Sequence, residues 1–531
     1  MDPKLLSLLA PVSSFFSLSS ALVLSGGLVV YWILWVVYAR HFHPLHKIPG
    51  PWLASVSRLW YMLQIARGDM EYTQRRLHAQ YGPLLRIAPN EVACASPDAI
   101  KTIYRIQGAL DKTDFYSVWN TQNFSKHPDV FTCISDKVHG ERRRIMNHVY
   151  TLSNVLKSEE YIDKCTGLFL QRLAEYQDGS RPFDLGEWLQ MYAFDVIGEL
   201  YFGRMFGFME TSSDHESWIH SLDLLMPFLC MTAVAPTYVR SLILASALVV
   251  PGSLAALKAI ENIGTSARRC VAQRFAEESK DEGQHRSDIL DQLYRIHLEK
   301  GDKVDFNLGE IEQEAYVALF AGSDTTAIAL RSVFYHLFKN PTVYKQLVQE
   351  IDEAAERGQL SSPVKYSEAI QLPFLCACIK EALRVHPGVA LTMGRTVPAE
   401  GLQLCGTYIP GGYRVGMNAA VIHYDKSIFG PDADQYRPGR WLADDAAALD
   451  KYMLHFGAGT RTCIGKNISL AELHKLVPSV LREFQLDLRE KGQVWRTRNL
   501  WFNKQEGVQV RVTARQFAKA KGDRAEPDVE I

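Results

Sequence analysis

No sign of charge dominates this chain. Its 531 residues carry 58 lysines and arginines against 59 aspartates and glutamates, so nothing global draws in a polyanion and no nucleic-acid partner is expected. A disulfide framework is missing as well: nine cysteines, an odd number at irregular spacing, point to a reducing compartment. No G-x-G-x-x-G turn joins a strand to a helix, which leaves no flavin or nicotinamide domain, so electrons for any redox chemistry must come from another protein. No low-complexity linker divides the sequence, although length alone would allow two to four domains. Between Leu5 and Ala39 charge is absent altogether.

That uncharged stretch sets the compartment. Its second half, Ala21 to Ala39, is almost wholly apolar and close to the roughly 20 residues that span a bilayer. A cleaved signal peptide is the rival reading, but the run exceeds a typical signal core and no small-residue cleavage site follows. Arg40, His41, His43, His46 and Lys47 follow the run, and only Lys4 and the amino terminus precede it, which places the bulk of the chain in the cytosol. The expected division is a luminal segment over 1–20, a transmembrane anchor over 21–39, a proline-rich hinge over 40–51 with Pro49-Gly50-Pro51, a catalytic domain over 52–515 and a tail over 516–531. The expected site is the endoplasmic reticulum, single-pass, with membrane lipid as a partner.

The body reads as mainly α with small β-sheets. Leu84 to Ala93 predicts a hairpin turning at Pro89-Asn90, and residues 111–138, rich in aromatics without periodicity, predict a long loop able to cap a pocket. His139-Gly140-Glu141-Arg142-Arg143-Arg144 opens a helix whose successive side chains turn by about 100°, with Arg142 and Arg144 on a solvated face. Residues 150–300 read as mostly helical. Leu242 to Leu257 is a second apolar stretch, interrupted by Pro251 and too short to span: a core helix, or a segment resting on the membrane. Glu310 to Lys339 is the longest helix, stopped by Asn340-Pro341. Within it, Ala321-Gly322-Ser323-Asp324-Thr325-Thr326 is small and weakly helix-forming, the glycine alone costing about 1 kcal/mol against alanine, and such inconsistency marks a site. The Thr325 hydroxyl either bonds back to the carbonyl one turn earlier or opens the helix to water.

The chemistry gathers at Phe456-Gly457-Ala458-Gly459-Thr460-Arg461-Thr462-Cys463-Ile464-Gly465. Glycines let this backbone approach something flat, and Cys463 is its one soft ligand. A lone thiolate makes a poor zinc site, since about four ligands are needed there, but it suits haem iron, where the porphyrin supplies four. Backbone N–H groups here and at the helix beginning near Gly465 are placed to bond the sulfur, and Arg461 to meet a propionate. One more buried cysteine is the plain alternative.

Phe456, Gly459, Arg461, Cys463 and Gly465 resemble, position for position, the haem loop of the cytochrome P-450 family, and the wording of Tyr81-Gly82-Pro83, Phe183-Asp184-Leu185-Gly186 and Gly465-Lys466-Asn467-Ile468-Ser469 resembles its fungal pisatin-demethylase-like branch. The resemblance implies that fold, with heme b held axially by Cys463 and its propionates met by His139, Arg143 and Arg395. It assigns proton delivery to iron-bound dioxygen to Asp324 and Thr325, and folding to the triad Glu381, Arg384 and Arg440. Tyr436 and Gly439 stand where the family usually has Phe and Glu, and Ser469 where it has Ala. The implied activity is a monooxygenase that takes O2 as co-substrate and electrons from NADPH through a separate reductase, and acts on a lipophilic small molecule in a secondary-metabolite pathway. A haem-thiolate isomerase or dehydratase and a non-enzymatic haem sensor are the rivals, and Asp324 with Thr325 argues against both.

Overall fold

The structure, a computed structural model, describes residues 18–120, 124–278, 286–490 and 492–515. The tail expected over 516–531 lies outside them, as does the luminal segment up to residue 17. The first helix, α1 (Leu18–His41), is mainly apolar up to Arg40 and His41 in its last turn. Among the described residues three helices are long and apolar enough to cross a membrane; the apolar windows of His215–Val234 and Leu308–Lys339 are 44% and 67% buried in the protein, whereas that of Leu22–His41 is 6% buried. Of these three, α1 alone turns almost its whole apolar surface outward.

The end of α1 is clasped by the body. Arg86, itself fully buried, donates from Nη1 to the Ala39 carbonyl at 3.0 Å and from Nη2 to the Pro89 carbonyl at 2.8 Å, a cation on the negative end of a helix dipole. Its Nη2 also faces His43 Nδ1 at 3.0 Å. Burial, then the Arg86 charge, push His43 down to about 4, so its ring is a neutral acceptor. Arg86 N–H meets the Pro49 carbonyl at 2.8 Å, and a Cβ on Gly50 would stand 2.4 Å from the Arg86 carbonyl oxygen. The proline-rich segment is tied down at this point.

Strands β1 (Leu84–Ala88) and β2 (Glu91–Cys94) form the expected hairpin, and β3 (Arg395–Thr396) and β4 (Arg414–Gly416) complete a sheet in the order β1-β2-β4-β3. β2 runs parallel to β4, and β3 antiparallel to it. This sheet carries the smaller of two large apolar cores; the other is helical. In chain order its site-bearing helices are α2 (Asp136–Met146), α3 (Leu185–Phe202), α4 (Leu308–Lys339), α5 (Pro373–Val385) and α6 (Lys466–Glu483). Asn307 caps α4 in a reciprocal box with Glu310, and Gly322 lets α3 close in: a Cβ there would lie 2.6 Å from Ile197 Cδ1. Close packing thus accounts for that glycine.

One of two alternatives and one expectation fail. Leu242 to Leu257 is no core helix: the chain turns at Pro251 and Gly252, φ +85°, between helices Thr237–Ala247 and Ser253–Glu278, leaving Tyr238 83%, Leu242 71% and Val249 83% exposed. Leu59, Met62, Pro236, Val239, Leu242 and Ile243 line a groove of about 360 Å³ beside it. Arg142 does not face solvent either. It is buried, with Nη2 on the Asp305 carbonyl at 2.8 Å and 3.9 Å from Glu310, because the end of helix Ile289–Val304, just ahead of α4, packs over α2; Arg144 is exposed.

Glu381 of α5 is fully buried and collects five donors: Arg384 Nε and Nη2 at 2.9 and 2.8 Å, Arg440 Nε at 2.9 Å, Trp441 Nε1 at 2.8 Å and Arg437 N–H at 2.9 Å. Removing one ion from a buried pair strands the other, typically at 3–5 kcal/mol. Arg440→Ala should therefore lose about 3–5 kcal/mol in urea unfolding, and an unchanged midpoint would show the triad to be dispensable.

Glu472 of α6 is the opposite case, fully buried with neither oxygen bonded. Burial raises its pKa well above the ordinary 4.5, so the folded chain keeps a proton that the unfolded chain releases, and stability falls as pH rises above that value. Glu472→Gln should melt with the parent near pH 4 and above it at pH 8; parallel pH profiles would mean that the acid is ionised in the fold.

Candidate functional site

The Cys463 loop is shaped by two left-handed glycines, Gly457 at φ +70° and Gly459 at φ +68°. A Cβ on Gly459 would stand 2.2 Å from the Tyr104 carbonyl oxygen, so no other residue fits without moving the neighbouring chain. Cys463 N–H donates to the Phe456 carbonyl at 2.8 Å and Gly457 N–H to that of Leu454 at 2.8 Å. Phe456 is half-buried against His455, ring centroids 4.4 Å apart. Gly465 then caps α6.

The sulfur is held between opposing influences. Burial raises the Cys463 pKa, while the N–H groups of Gly465 and Lys466 and the charges of Arg143 and Lys466 act to lower it. The side chain is nonetheless accessible. A thiol deep enough to be desolvated and still accessible opens onto an internal space rather than onto the outer surface. The charge of Arg143 reaches this sulfur because its Nη1 donates to the Thr462 carbonyl at 2.6 Å.

Around His139 the structure gathers cations. The imidazole is buried with no partner on Nδ1, and burial followed by Arg461, Lys112, Arg143 and Arg395 pushes it down to about 3. Arg461 donates to the carbonyls of Cys133 at 2.7 Å and Ile134 at 2.9 Å, its Nε 3.4 Å from Asp136. Arg395 leaves β3, donates to the Gly394 carbonyl at 2.9 Å and lies over the Tyr104 ring at 4.9 Å. Lys112 carries no mark in the sequence beyond its place in an aromatic loop. It is buried, its Nζ on the Phe131 carbonyl at 2.6 Å and 4.2 Å from the Tyr116 ring centre, and burial with Arg395 and Arg461 lowers its pKa. Four cations and an unpartnered imidazole beside an accessible sulfur fit the two carboxylates and the iron of a haem.

α4 contributes an accessible stripe. Val317, Ala318, Ala321 and Thr325 recur at helical spacing as half-buried or exposed positions on a mostly buried helix, and α4 packs directly on α6. Thr325 donates back to the Ala321 carbonyl at 2.6 Å, so the helix stays closed. Asp324 points elsewhere: successive residues diverge by about 100°, and its buried carboxyl accepts a hydrogen bond from Gln190 of α3. The structure therefore brings His139, Arg143, Arg395 and Arg461 together near Cys463, and does not join Asp324 to Thr325.

Comparison with known proteins accords with this geometry. The family described as cytochrome P-450 matches residues 49–512. Cytochrome P-450 monooxygenase gsfF of Penicillium aethiopicum is 45% identical over 497 residues, 93% of this chain and 99% of the relative. Cytochrome P-450 monooxygenase cicH of Emericella nidulans is 36% identical over 498 residues, 92% and 98% of the two chains. Pisatin demethylase of Fusarium vanettenii is 34% identical over 480 residues, 90% and 91%. A family match across this span, with relatives covered almost end to end, shows that the chain belongs to the cytochrome P-450 family of haem-thiolate monooxygenases.

Proposed function

We propose that Cys463 is the axial ligand of a heme b, and that the enzyme inserts one oxygen atom of O2 into a lipophilic small molecule, with electrons from NADPH passed on by a separate reductase. The observation that carries the reading is the accessible sulfur, with the Gly465 and Lys466 N–H groups acting on it, in a doubly left-handed glycine loop beside Lys112, Arg143, Arg395 and Arg461. When bound, the haem supplies the activation of dioxygen that side chains cannot. The protein's own part is to bind, orient and protonate. The Gly465 and Lys466 N–H groups favour the thiolate. Arg143, Lys112, Arg395, Arg461 and His139 would take the propionates, relieving their mutual repulsion, and Gly459 and Phe456 would help hold the group at the loop.

Asp324 and Thr325 would manage the protons that oxygen chemistry consumes. Burial raises the Asp324 pKa, which suits an acid that gives up a proton near neutral pH. Thr325 would release its bond to the Ala321 carbonyl as it passes one on.

The membrane reading rests on α1 and on exposed Tyr238, Leu242, Val249 and Leu254, which would lie on lipid with the groove beside them as an entrance. Together with Arg40 in the last turn of α1 and Lys47 beyond it, it supports a single-pass protein of the endoplasmic reticulum whose body faces the cytosol. Fungal relatives named as monooxygenases and as pisatin demethylase support a secondary-metabolite substrate over an isomerase or sensor role.

Cys463→Ala should abolish the red-shifted ferrous carbon-monoxide band that thiolate ligation gives; a folded mutant that keeps the band would refute the ligand assignment. Thr325→Ala should lower product formed per NADPH consumed and raise hydrogen peroxide, on the scale of the roughly 100- to 10,000-fold that positioned proton transfer contributes. An unchanged ratio in a reductase-reconstituted assay would reduce Thr325 to a helix-packing residue.

A further inference from the structure

The Asp324 carboxyl is held from outside its own helix, and the holding group is fixed in turn. Gln190 of α3 donates from Nε2 to Asp324 Oδ1. The Gln190 amide cannot be turned round, because its Oε1 accepts from Arg331 Nη2 at 2.9 Å, and a guanidinium has no acceptor to offer in exchange. Arg331 is itself clamped, with Nε and Nη2 on the Gly186 carbonyl at 2.9 and 2.5 Å. A Cβ on Gly186 would stand 3.1 Å from Arg331 Nε, so a bare backbone at the start of α3 makes room for the clamp. Gln190, Asp324 and Arg331 are all buried.

We propose that Gln190, oriented by Arg331, is the positioning residue of Asp324: it keeps the carboxyl turned to α3, away from the accessible stripe of α4, and sets how readily it releases its proton. The proposal rests on the reading of Asp324 as the proton-delivering acid. Two tendencies oppose each other at this carboxyl. Burial, and then the charge of Asp223 from the helix Trp218–Val234, favour the neutral form; Lys504 from the strand Phe502–Glu506 and Arg331 from α4 favour the anion. Lys504 and Asp223 largely cancel, since Lys504 Nζ binds both Asp223 oxygens at 2.6 and 2.7 Å. Asp184 and Glu187, near Arg331 at the start of α3, draw on the arginine's charge. Gln190 is what remains in direct contact: a neutral donor that cannot act as an acceptor here, it stabilises the carboxylate more than the acid and keeps burial from locking the proton in place. To serve the stripe that holds Thr325, the carboxyl leaves this amide, so Gln190 also determines when the acid is available.

The test is infrared difference spectroscopy of the full-length haem-loaded protein against pH, the Asp324 carboxyl band being identified by its loss in Asp324→Asn. Gln190→Met keeps the volume and removes the donor; Gln190→Leu removes it with a branched side chain. In both, the band should move to higher frequency and persist to higher pH by about one unit or more, the effect of losing one donor to a charged acceptor. If the parent acid is ionised at every pH reached and shows no band, one should appear in Gln190→Met. A band that titrates as in the parent, or none in either variant, overturns the proposal. The reading beneath it is checked separately: if Asp324→Asn leaves product per NADPH unchanged, Asp324 is not the proton donor, even where the infrared shift stands.

Discussion

The Glu381 carboxylate is the fixed point from which the Cys463 loop is hung. Its five donors join α5 to the turn Pro438–Leu442, and Arg384 carries the connection outward to the carbonyls of His423, Ala433 and Gln435 at 2.6, 2.6 and 2.8 Å. His423 extends it: Nδ1 lies 2.9 Å from the Arg384 carbonyl, and Nε2 accepts from Leu454 N–H at 2.8 Å. Accepting on Nε2 fixes the neutral tautomer with its proton on Nδ1, and burial holds the ring in that state. Leu454 in turn accepts from Gly457, the first residue of the left-handed loop. A run of buried hydrogen bonds thus ties the backbone ahead of Cys463 to a salt bridge on another helix, and the site inherits its stiffness.

Local chemistry was legible in the sequence where it is decided locally. The Pro89-Asn90 turn, the capped length of α4, the glycines of the Cys463 loop and the helix beginning after Gly465 all follow from backbone preferences of a few adjacent residues. What escaped depends on partners far along the chain. Arg142 is buried by a contact 163 residues away, and Asp324 is turned by one 134 residues away. Lys112 gives no local sign of the cations that surround it. The exposed residues between Tyr238 and Leu254 show the converse: hydropathy marks them as apolar, and only packing decides whether an apolar helix faces a core or is left uncovered. Gly322 read as a sign of function, and its nearest constraint proved to be Ile197.

The site also shows how unlike charges are kept useful without cancelling. On one side Lys112, Arg143, Arg395 and Arg461 converge around His139, with Asp136 beside Arg461, an excess of positive charge that would suit two incoming carboxylates. On the other, Asp324 is buried with a neutral amide as its closest contact. Had an arginine touched that carboxyl directly, the acid would be held ionised and unable to give a proton; had nothing touched it, burial would hold the proton fast.

The clasp at the end of α1 has a consequence for motion. Arg86 grips the carbonyl of Ala39 and the ring of His43 from within the small sheet, and Pro49 is bonded to the same residue. A bilayer that takes up this helix therefore receives the catalytic body at a set inclination and height, with rotation about the membrane normal as its main remaining freedom. For any partner held in that same bilayer, encounter would then be a search in a plane rather than in a volume.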